Sequence, residues 1–129
     1  MDIIISNSSG KPIYEQITAQ IKNMIINGTL QEGNALPSMR LLAKELRISV
    51  ITTKRAYEDL ERDGFIITMT GKGSFVARKN VELIREEQLR KAEEHLQNAV
   101  DVAKSGGITF EELTEILTLL YSSDRSEEE

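Results

Sequence analysis

The sequence contains no cysteine and no tryptophan, and it has only three tyrosines and three phenylalanines among its 129 residues. Without cysteine the chain can form neither a disulfide nor a thiolate metal site, which fits a reducing compartment and leads us to expect a cytoplasmic protein. With so few aromatic rings, the core must be built mainly from Ile, Leu, Val and Met. A chain of this length is expected to form one domain, or one small domain with an appendage.

Long apolar runs and catalytic residue sets are also missing. The apolar stretches are only a few residues long, far short of the about 20 residues that cross a membrane. No basic stretch followed by an apolar segment opens the chain, so we expect no signal peptide and no membrane partner. Without cysteine no Cys/His set can be assembled, and the single histidine, His95, lies among Glu93, Glu94 and Gln97, as expected of a solvated side chain rather than of a catalytic one. We therefore expect no enzyme and no catalytic, metal or cofactor site.

The net charge of −5 is unevenly distributed along the chain. Residues 1–79 hold 11 Lys and Arg against 8 Asp and Glu, a net charge of +3. Residues 80–129 hold 5 against 13, a net charge of −8. This change of sign predicts two parts with different tasks, at 1–79 and 80–129. Because DNA repels an acidic surface, any DNA-binding face must lie in the first part.

The first part carries the patterns of three helices followed by a hairpin. An isoleucine recurs at every fourth position after Lys11-Pro12, which predicts a helix with one buried face that ends near Asn27-Gly28. Ser38 and Ser49 are typical N-caps of a second and a third helix. Two short β-prone runs flank residues 70–73, whose glycines suit the tip of a hairpin. This element order is that of a winged helix-turn-helix.

The predicted third helix has two distinct faces. Its core-facing residues fall within one narrow sector: Thr53, Ala56, Tyr57 and Leu60. On the opposite side, Glu58 and Arg62 are four residues apart and are expected to pair at the surface.

The sequence pattern of the second part predicts two helices and a tail. The helical pattern runs from about residue 81 to 105 and ends at Gly106-Gly107, after which Thr109 and Glu112 have the spacing of a capping box for a last helix. The acidic tail, residues 122–129, is expected to be disordered. The expected fold class is therefore mainly α with a small β-wing: a winged helix-turn-helix followed by a two-helix antiparallel dimerisation module.

Two helices of about 45 residues cannot bury their own apolar face, so a second copy is expected to cover it in a twofold homodimer. The predicted dimerisation residues are Leu89, Ala92, Leu96, Ala99, Leu113, Ile116, Leu117, Leu120 and Tyr121.

An ordered motif runs from Leu36 to Val76: Leu-Pro-Ser-x-Arg-x-Leu-Ala, then Ser-x-x-Thr-Thr-Lys-x-Ala, Leu-Glu-x-x-Gly and Gly-Lys-Gly-Ser-Phe-Val. In this motif the sequence resembles the DNA-binding domain of the GntR family of bacterial regulators. The segment Lys11–Tyr14 also fits the family pattern, so that the resemblance covers residues 11–78. The short two-helix second part resembles the YtrA-like subfamily. The resemblance implies a transcription regulator, expected to act as a repressor of genes such as transporter operons, and a second part that mainly dimerises.

The N-terminal turns of a helix in the major groove read base edges. On the third helix these turns present hydroxyl groups, positive charge and exposed apolar side chains: Ser49, Val50, Ile51, Thr52, Lys54 and Arg55. An exposed isoleucine there can touch a thymine methyl. The family resemblance implies DNA contacts by Arg40, Ser49, Thr52 and Lys54. The predicted DNA-binding set also includes Ser38 and Arg47. It is completed by the wing tip, which is expected to approach the DNA closely: Gly71, Lys72 and Gly73.

Two positions depart from the family pattern. Many members carry Arg where this chain has Val50, so their operator sequence cannot be carried over. Many members carry Gly where this chain has Arg47, in the turn between the second and third helices. Arg47 either costs about 1 kcal/mol in a left-handed conformation or gains a phosphate contact.

Beside a regulator that binds a double-stranded operator as a homodimer, two alternatives stay open. The winged helix could bind a protein, although such a module need not keep Arg or Lys at 40, 47, 54, 55 and 72. The second part could also sense an unidentified effector metabolite in a pocket at the dimer interface, because about 50 residues leave little room for a cavity within one chain.

Overall fold

The computed structural model describes residues 1–78 and 80–123. The elements are α1 (Ile13–Ile26), α2 (Met39–Leu46), α3 (Val50–Arg62), β1 (Ile66–Met69), β2 (Gly73–Val76), α4 (Val81–Gly106) and α5 (Phe110–Ser122). This order confirms the predicted fold class, a mainly helical chain with one small antiparallel sheet. Ser122, expected in the tail, is the last residue of α5, and the tail beyond Ser123 lies outside the described residues.

The chain divides into two compact units, Met1–Leu83 and a second unit that begins at Ile84. In the first unit, α1 and α2 both pack against α3. The spacing of four places Ile17 and Ile21 on one face of α1, and both are fully buried. The predicted core sector of α3 is buried in full, which confirms it: Thr53, Ala56, Tyr57 and Leu60. Arg62 pairs with Asp59 and Asp63 rather than with Glu58, so the expected surface pair is wrong.

The β1–β2 hairpin is the predicted wing, with Ile66 opposite Val76 and Met69 opposite Gly73. A third segment pairs with β2, because the Leu36 N–H donates to the Ser74 carbonyl at 2.9 Å and Ala35 bridges Phe75. The sequence predicted no strand between the end of α1 near Asn27-Gly28 and the cap of α2 at Ser38. Pairing satisfies the backbone groups of an otherwise open strand edge and fixes the base of the wing to the helices.

Two glutamines of α1 hold the N-terminal segment. The Gln20 amide accepts from the Ile4 N–H at 2.9 Å and donates to the Ile4 carbonyl at 2.7 Å. One turn earlier, Gln16 makes the same pair with Ser6 at 2.8 and 2.9 Å. The two side-chain amides therefore pair with the backbone N–H and C=O groups of the N-terminal segment, as a neighbouring strand would. Ile3 is buried in the core beside them.

The buried ring of Tyr57 ties α3 to the segment that precedes α2. Its hydroxyl donates to the Pro37 carbonyl at 2.7 Å, and only 1% of the residue is exposed. Burial disfavours the phenolate, which raises the pKa of Tyr57 above its ordinary value of 10.

We expect Tyr57→Phe to lower the free energy of unfolding by about 1 kcal/mol near pH 8, the typical loss of one such hydrogen bond. Above pH 10 the unfolded tyrosine ionises while the folded one stays neutral, so wild-type stability falls by about 1.4 kcal/mol per pH unit relative to the variant. The advantage of the wild type should therefore vanish near pH 11. Urea unfolding of both proteins across this pH range measures it, and parallel pH profiles would contradict the expectation.

The second unit contains α4 from Ile84 onward and all of α5. The capping box is confirmed, because the Glu112 N–H donates to Thr109 Oγ1 at 3.1 Å and the Thr109 N–H donates to Glu112 Oε1 at 2.9 Å. In residues 1–78 and 80–123 there is no helical stretch with the length and hydropathy of a transmembrane span.

Candidate nucleic-acid interface and helical groove

The predicted DNA-binding residues lie at four places in the first unit: the start of α2, the turn that follows it, the N-terminal turns of α3, and the wing tip. Both predicted serine caps are confirmed. Ser38 Oγ accepts from the Leu41 N–H at 3.0 Å, and Ser49 Oγ accepts from the Thr52 N–H at 3.2 Å. The Ser49 and Thr52 hydroxyls lie 3.2 Å apart. One hydroxyl hydrogen can bridge this pair, which leaves the other able to donate to an oxygen of DNA.

Thr53 fixes α3 against α2. Its hydroxyl lies 3.0 Å from the Met39 carbonyl and 2.9 Å from the Val50 carbonyl, and the residue is fully buried. With Thr53 held inward, Ile51 is directed outward and is 79% exposed. An isoleucine exposed to this extent contributes little to the core, and it matches the expected apolar contact with a base.

Arg47 adopts the left-handed conformation that the sequence raised as a possibility. Its φ of 60° and ψ of 49° end α2, and it is the one non-glycine residue with positive φ in the described part of the chain. The side chain is exposed. A cationic residue therefore occupies a strained turn two residues before Ser49, the N-cap of α3.

We expect Arg47→Gly to raise the free energy of unfolding by about 0.5–1 kcal/mol, because glycine removes the left-handed cost but gains chain entropy on unfolding. The same variant should bind DNA several-fold more weakly if Arg47 touches a phosphate. Thermal unfolding and fluorescence anisotropy with a labelled duplex measure the two effects. Arg47→Lys is the matched control, since it keeps both the charge and the strain. Unchanged affinity in Arg47→Gly would remove Arg47 from the interface.

The wing tip presents one side chain between two glycines with positive φ. Gly71 has a φ of 78° and Gly73 a φ of 110°, and a Cβ at either position would meet nothing within 4 Å. Backbone conformation rather than crowding therefore favours glycine here. Lys72, whose N–H donates to the Met69 carbonyl at 2.8 Å, projects its ammonium from a narrow tip.

Arg55 lies on the exposed side of α3, as expected, but its side chain is not free. Its guanidinium carbon lies 3.8 Å from the centre of the Tyr14 ring on α1. In the sequence, Tyr14 is notable only as part of the Lys11–Tyr14 segment of the family resemblance. A contact between two helices leaves no periodic signal in either of them, so spacing alone could not have revealed it.

In the second unit, α4 and α5 together line an apolar groove of about 310 Å³. Six predicted dimerisation residues line it: Leu96, Ala99, Leu113, Ile116, Leu117 and Leu120. The other three, Leu89, Ala92 and Tyr121, are exposed but are not among the lining residues. Phe110, which is 77% exposed and lines the groove, was missed. It lies three and seven residues before Leu113 and Leu117, so extending the stripe one turn upstream would have found it.

Nothing in the described residues resembles a metal site. No group of three or more His, Cys, Asp or Glu side chains is close enough there to hold an ion, and His95 is exposed on α4.

Comparison with known proteins decides the family. The model of bacterial regulatory proteins of the gntR family matches residues 13–76. The HTH-type transcriptional repressor YtrA of Bacillus subtilis (strain 168) is 34% identical over 113 residues, which cover 88% of this chain and 87% of that protein. The chain belongs to the GntR family. As a GntR-family member it is a DNA-binding transcription regulator and not an enzyme, as the sequence predicted.

Solved structures of GntR-like proteins share this fold. A transcriptional regulator from Oenococcus oeni superposes with a TM-score of 0.72 at 27% identity, covering 91% of this chain and 97% of that one. The DNA-binding domain of AraR in complex with operator ORE1 superposes with a TM-score of 0.51 at 25% identity, covering 60% of this chain and 94% of that one.

Proposed function

We propose that this GntR-family protein binds a pseudo-palindromic operator as a homodimer and represses the genes beside it, transporter genes among them. The outward direction of Ile51 at the N-terminal turns of α3 carries the proposal, because an apolar side chain at that place suits a thymine methyl in the major groove. Similarity to a protein named as a repressor supports repression. Bacterial DNA lies in the cytoplasm, and the protein is proposed to act there.

The proposed contacts follow from where the side chains lie. Val50, Ile51 and Lys54 on α3 face bases, and the hydroxyls of Ser49 and Thr52 donate to bases or phosphates. Positive charge elsewhere in the first unit holds the sugar-phosphate backbone, which fixes the register but carries no sequence information. The cationic supporting residues are Arg40, Arg47 and Lys72. The Ser38 hydroxyl adds an uncharged contact, and Gly71 and Gly73 allow the wing backbone to approach closely.

The proposed dimer rests on the groove between α4 and α5. A surface that exposes Phe110, Leu117 and Leu120 is unusual for a chain that stays alone, and a second copy of the same helices supplies a matching apolar face. Two copies then present two α3 helices, and the spacing between them sets the spacing of the operator half-sites.

Selection of bound sequences from a random double-stranded DNA pool, with the purified protein at low salt, tests this function. An enriched inverted repeat is the expected result, and it gives the half-site spacing as well. Enrichment of a single unrepeated half-site would reject the dimeric mode. The absence of any enrichment would reject direct DNA reading and favour a winged helix that binds protein.

A further inference from the structure

The contact between Arg55 and Tyr14 joins the exposed side of α3 to the first turn of α1. At 3.8 Å from the ring centre, the guanidinium carbon is at the distance of a flat stack on the ring. A second cation–ring contact among the described residues, Lys22 over Phe65, is longer at 5.2 Å. Stacking restricts the rotamers of a long side chain and holds Arg55 in one direction.

The donors of Arg55 remain unused within the described part of the chain. Among residues 1–78 and 80–123, Arg55 has this ring contact but no hydrogen bond and no ion pair, whereas Arg62 and Arg90 both pair with carboxylates. A stacked guanidinium keeps its five N–H groups in its own plane, parallel to the ring, so that they point outward from the stack. Arg55 is therefore a fixed, planar and charged donor whose N–H groups are open to an acceptor from outside the chain.

The location of this donor favours phosphate over base. Arg55 lies one turn after Ile51 rather than in the first turn of α3, and its guanidinium lies over the Tyr14 ring of α1. Bases are read by the first turns of such a helix, and its flanks face the sugar-phosphate backbone. A planar fork of donors also matches a phosphate in bidentate geometry.

We propose that Tyr14 is a positioning residue that holds the Arg55 guanidinium in place to bind one DNA phosphate beside the bases read by α3. This inference rests on the proposed DNA reading by α3, and it adds a role for α1. The tyrosine ring fixes the arginine before DNA arrives, so less side-chain freedom is lost on binding.

The test measures anisotropy with two labelled duplexes of equal length, one with the selected inverted repeat and one with its sequence scrambled. We expect Arg55→Ala to weaken binding about tenfold per half-site, as the loss of one charge-assisted contact predicts. Tyr14→Leu should weaken binding about threefold, while Tyr14→Phe, which keeps the ring face, should match the wild type. In the double variant Tyr14→Leu should cost nothing further, because the arginine that it positions is gone.

Salt titration separates phosphate from base. Arg55→Ala should reduce the slope of log affinity against log salt by about 0.9 per protomer, and its loss should be similar on both duplexes. Arg55→Lys keeps the charge but not the planar stack, so it should lose affinity while keeping most of the salt slope. If thermal unfolding shows that Tyr14→Leu is unstable, Arg55→Lys still tests whether the stacked geometry of the arginine contributes to affinity.

Several results would overturn the inference. The first is a double variant whose loss of affinity equals the product of the losses in Tyr14→Leu and Arg55→Ala. The second is a loss of affinity in Arg55→Ala that is confined to the selected duplex, and the third is wild-type affinity in Arg55→Lys. If the wild type fails to distinguish the two duplexes, the proposed function fails instead, so the two failures are separable.

Discussion

Replacing Leu120 with glutamate should convert the proposed dimer to a monomer and weaken binding to the inverted repeat on the order of a thousandfold. Leu120 lines the groove between α4 and α5 and is 69% exposed. In a dimer its side chain would enter an apolar contact, where an unpaired carboxylate is strongly unfavourable. A monomer binds each half-site separately and loses the high effective concentration that linkage gives the second one. Sedimentation equilibrium and anisotropy measure the two losses.

Ser122→Glu is the matched control for this prediction. It introduces the same charge two residues after Leu120, on the side of α5 that faces away from the groove-lining residues, and Ser122 is also exposed. This variant should remain dimeric and bind DNA normally. Because Leu120 is already exposed within its own chain, Leu120→Glu should keep its helix content by circular dichroism. A dimeric Leu120→Glu protein would reject the groove as the interface, and a monomeric wild type would leave it open to a small apolar effector.

Local features of the fold could be predicted from the sequence because their causes are local. The spacing of Thr53, Ala56, Tyr57 and Leu60 is set by the geometry of one helix, and all four are buried. The caps at Ser38, Ser49 and Thr109 depend on a side chain and a backbone N–H three residues away. A few neighbouring residues carry all the information in these cases, and their interactions do not depend on the rest of the chain.

Contacts between distant residues could not be predicted in this way. The pairing of Ala35 with Phe75 and the hold of Gln20 on Ile4 join segments whose own patterns indicate nothing about a partner. Competition is equally hidden from spacing rules. Arg62 had an acceptable partner four residues away, but the carboxylates of Asp59 and Asp63 lie closer and raise the pKa of Arg62, with Asp63 the larger cause. Candidate site residues were predicted mainly from the family motif, whereas the packing of Arg55 on Tyr14 is a contact between two helices that the motif does not encode.

Lys54→Ala should weaken binding to the selected inverted repeat by about tenfold to a hundredfold per half-site and relax the base preference at one position of each half-site. Lys54 is exposed and lies three residues after Ile51, on the outward side of the first two turns of α3. From that position an ammonium can donate to the acceptors O6 and N7 of guanine in the major groove. Repeating the selection with the variant, and measuring affinity on duplexes changed at single positions, gives both quantities.

The matched control is Lys104→Ala, which removes the same charge from an exposed lysine in the last turn of α4. It should change neither the affinity nor the selected sequence, because its position in the acidic second part keeps it from the proposed interface. The pattern of the loss then decides what Lys54 touches. A loss that is equal on every duplex, with the salt slope reduced by about 0.9 per protomer, would place Lys54 on a phosphate and leave Ile51 and Val50 as the base readers. A loss confined to the selected sequence makes Lys54 a base reader itself, so that α3 recognises its site by charge and apolar contact together.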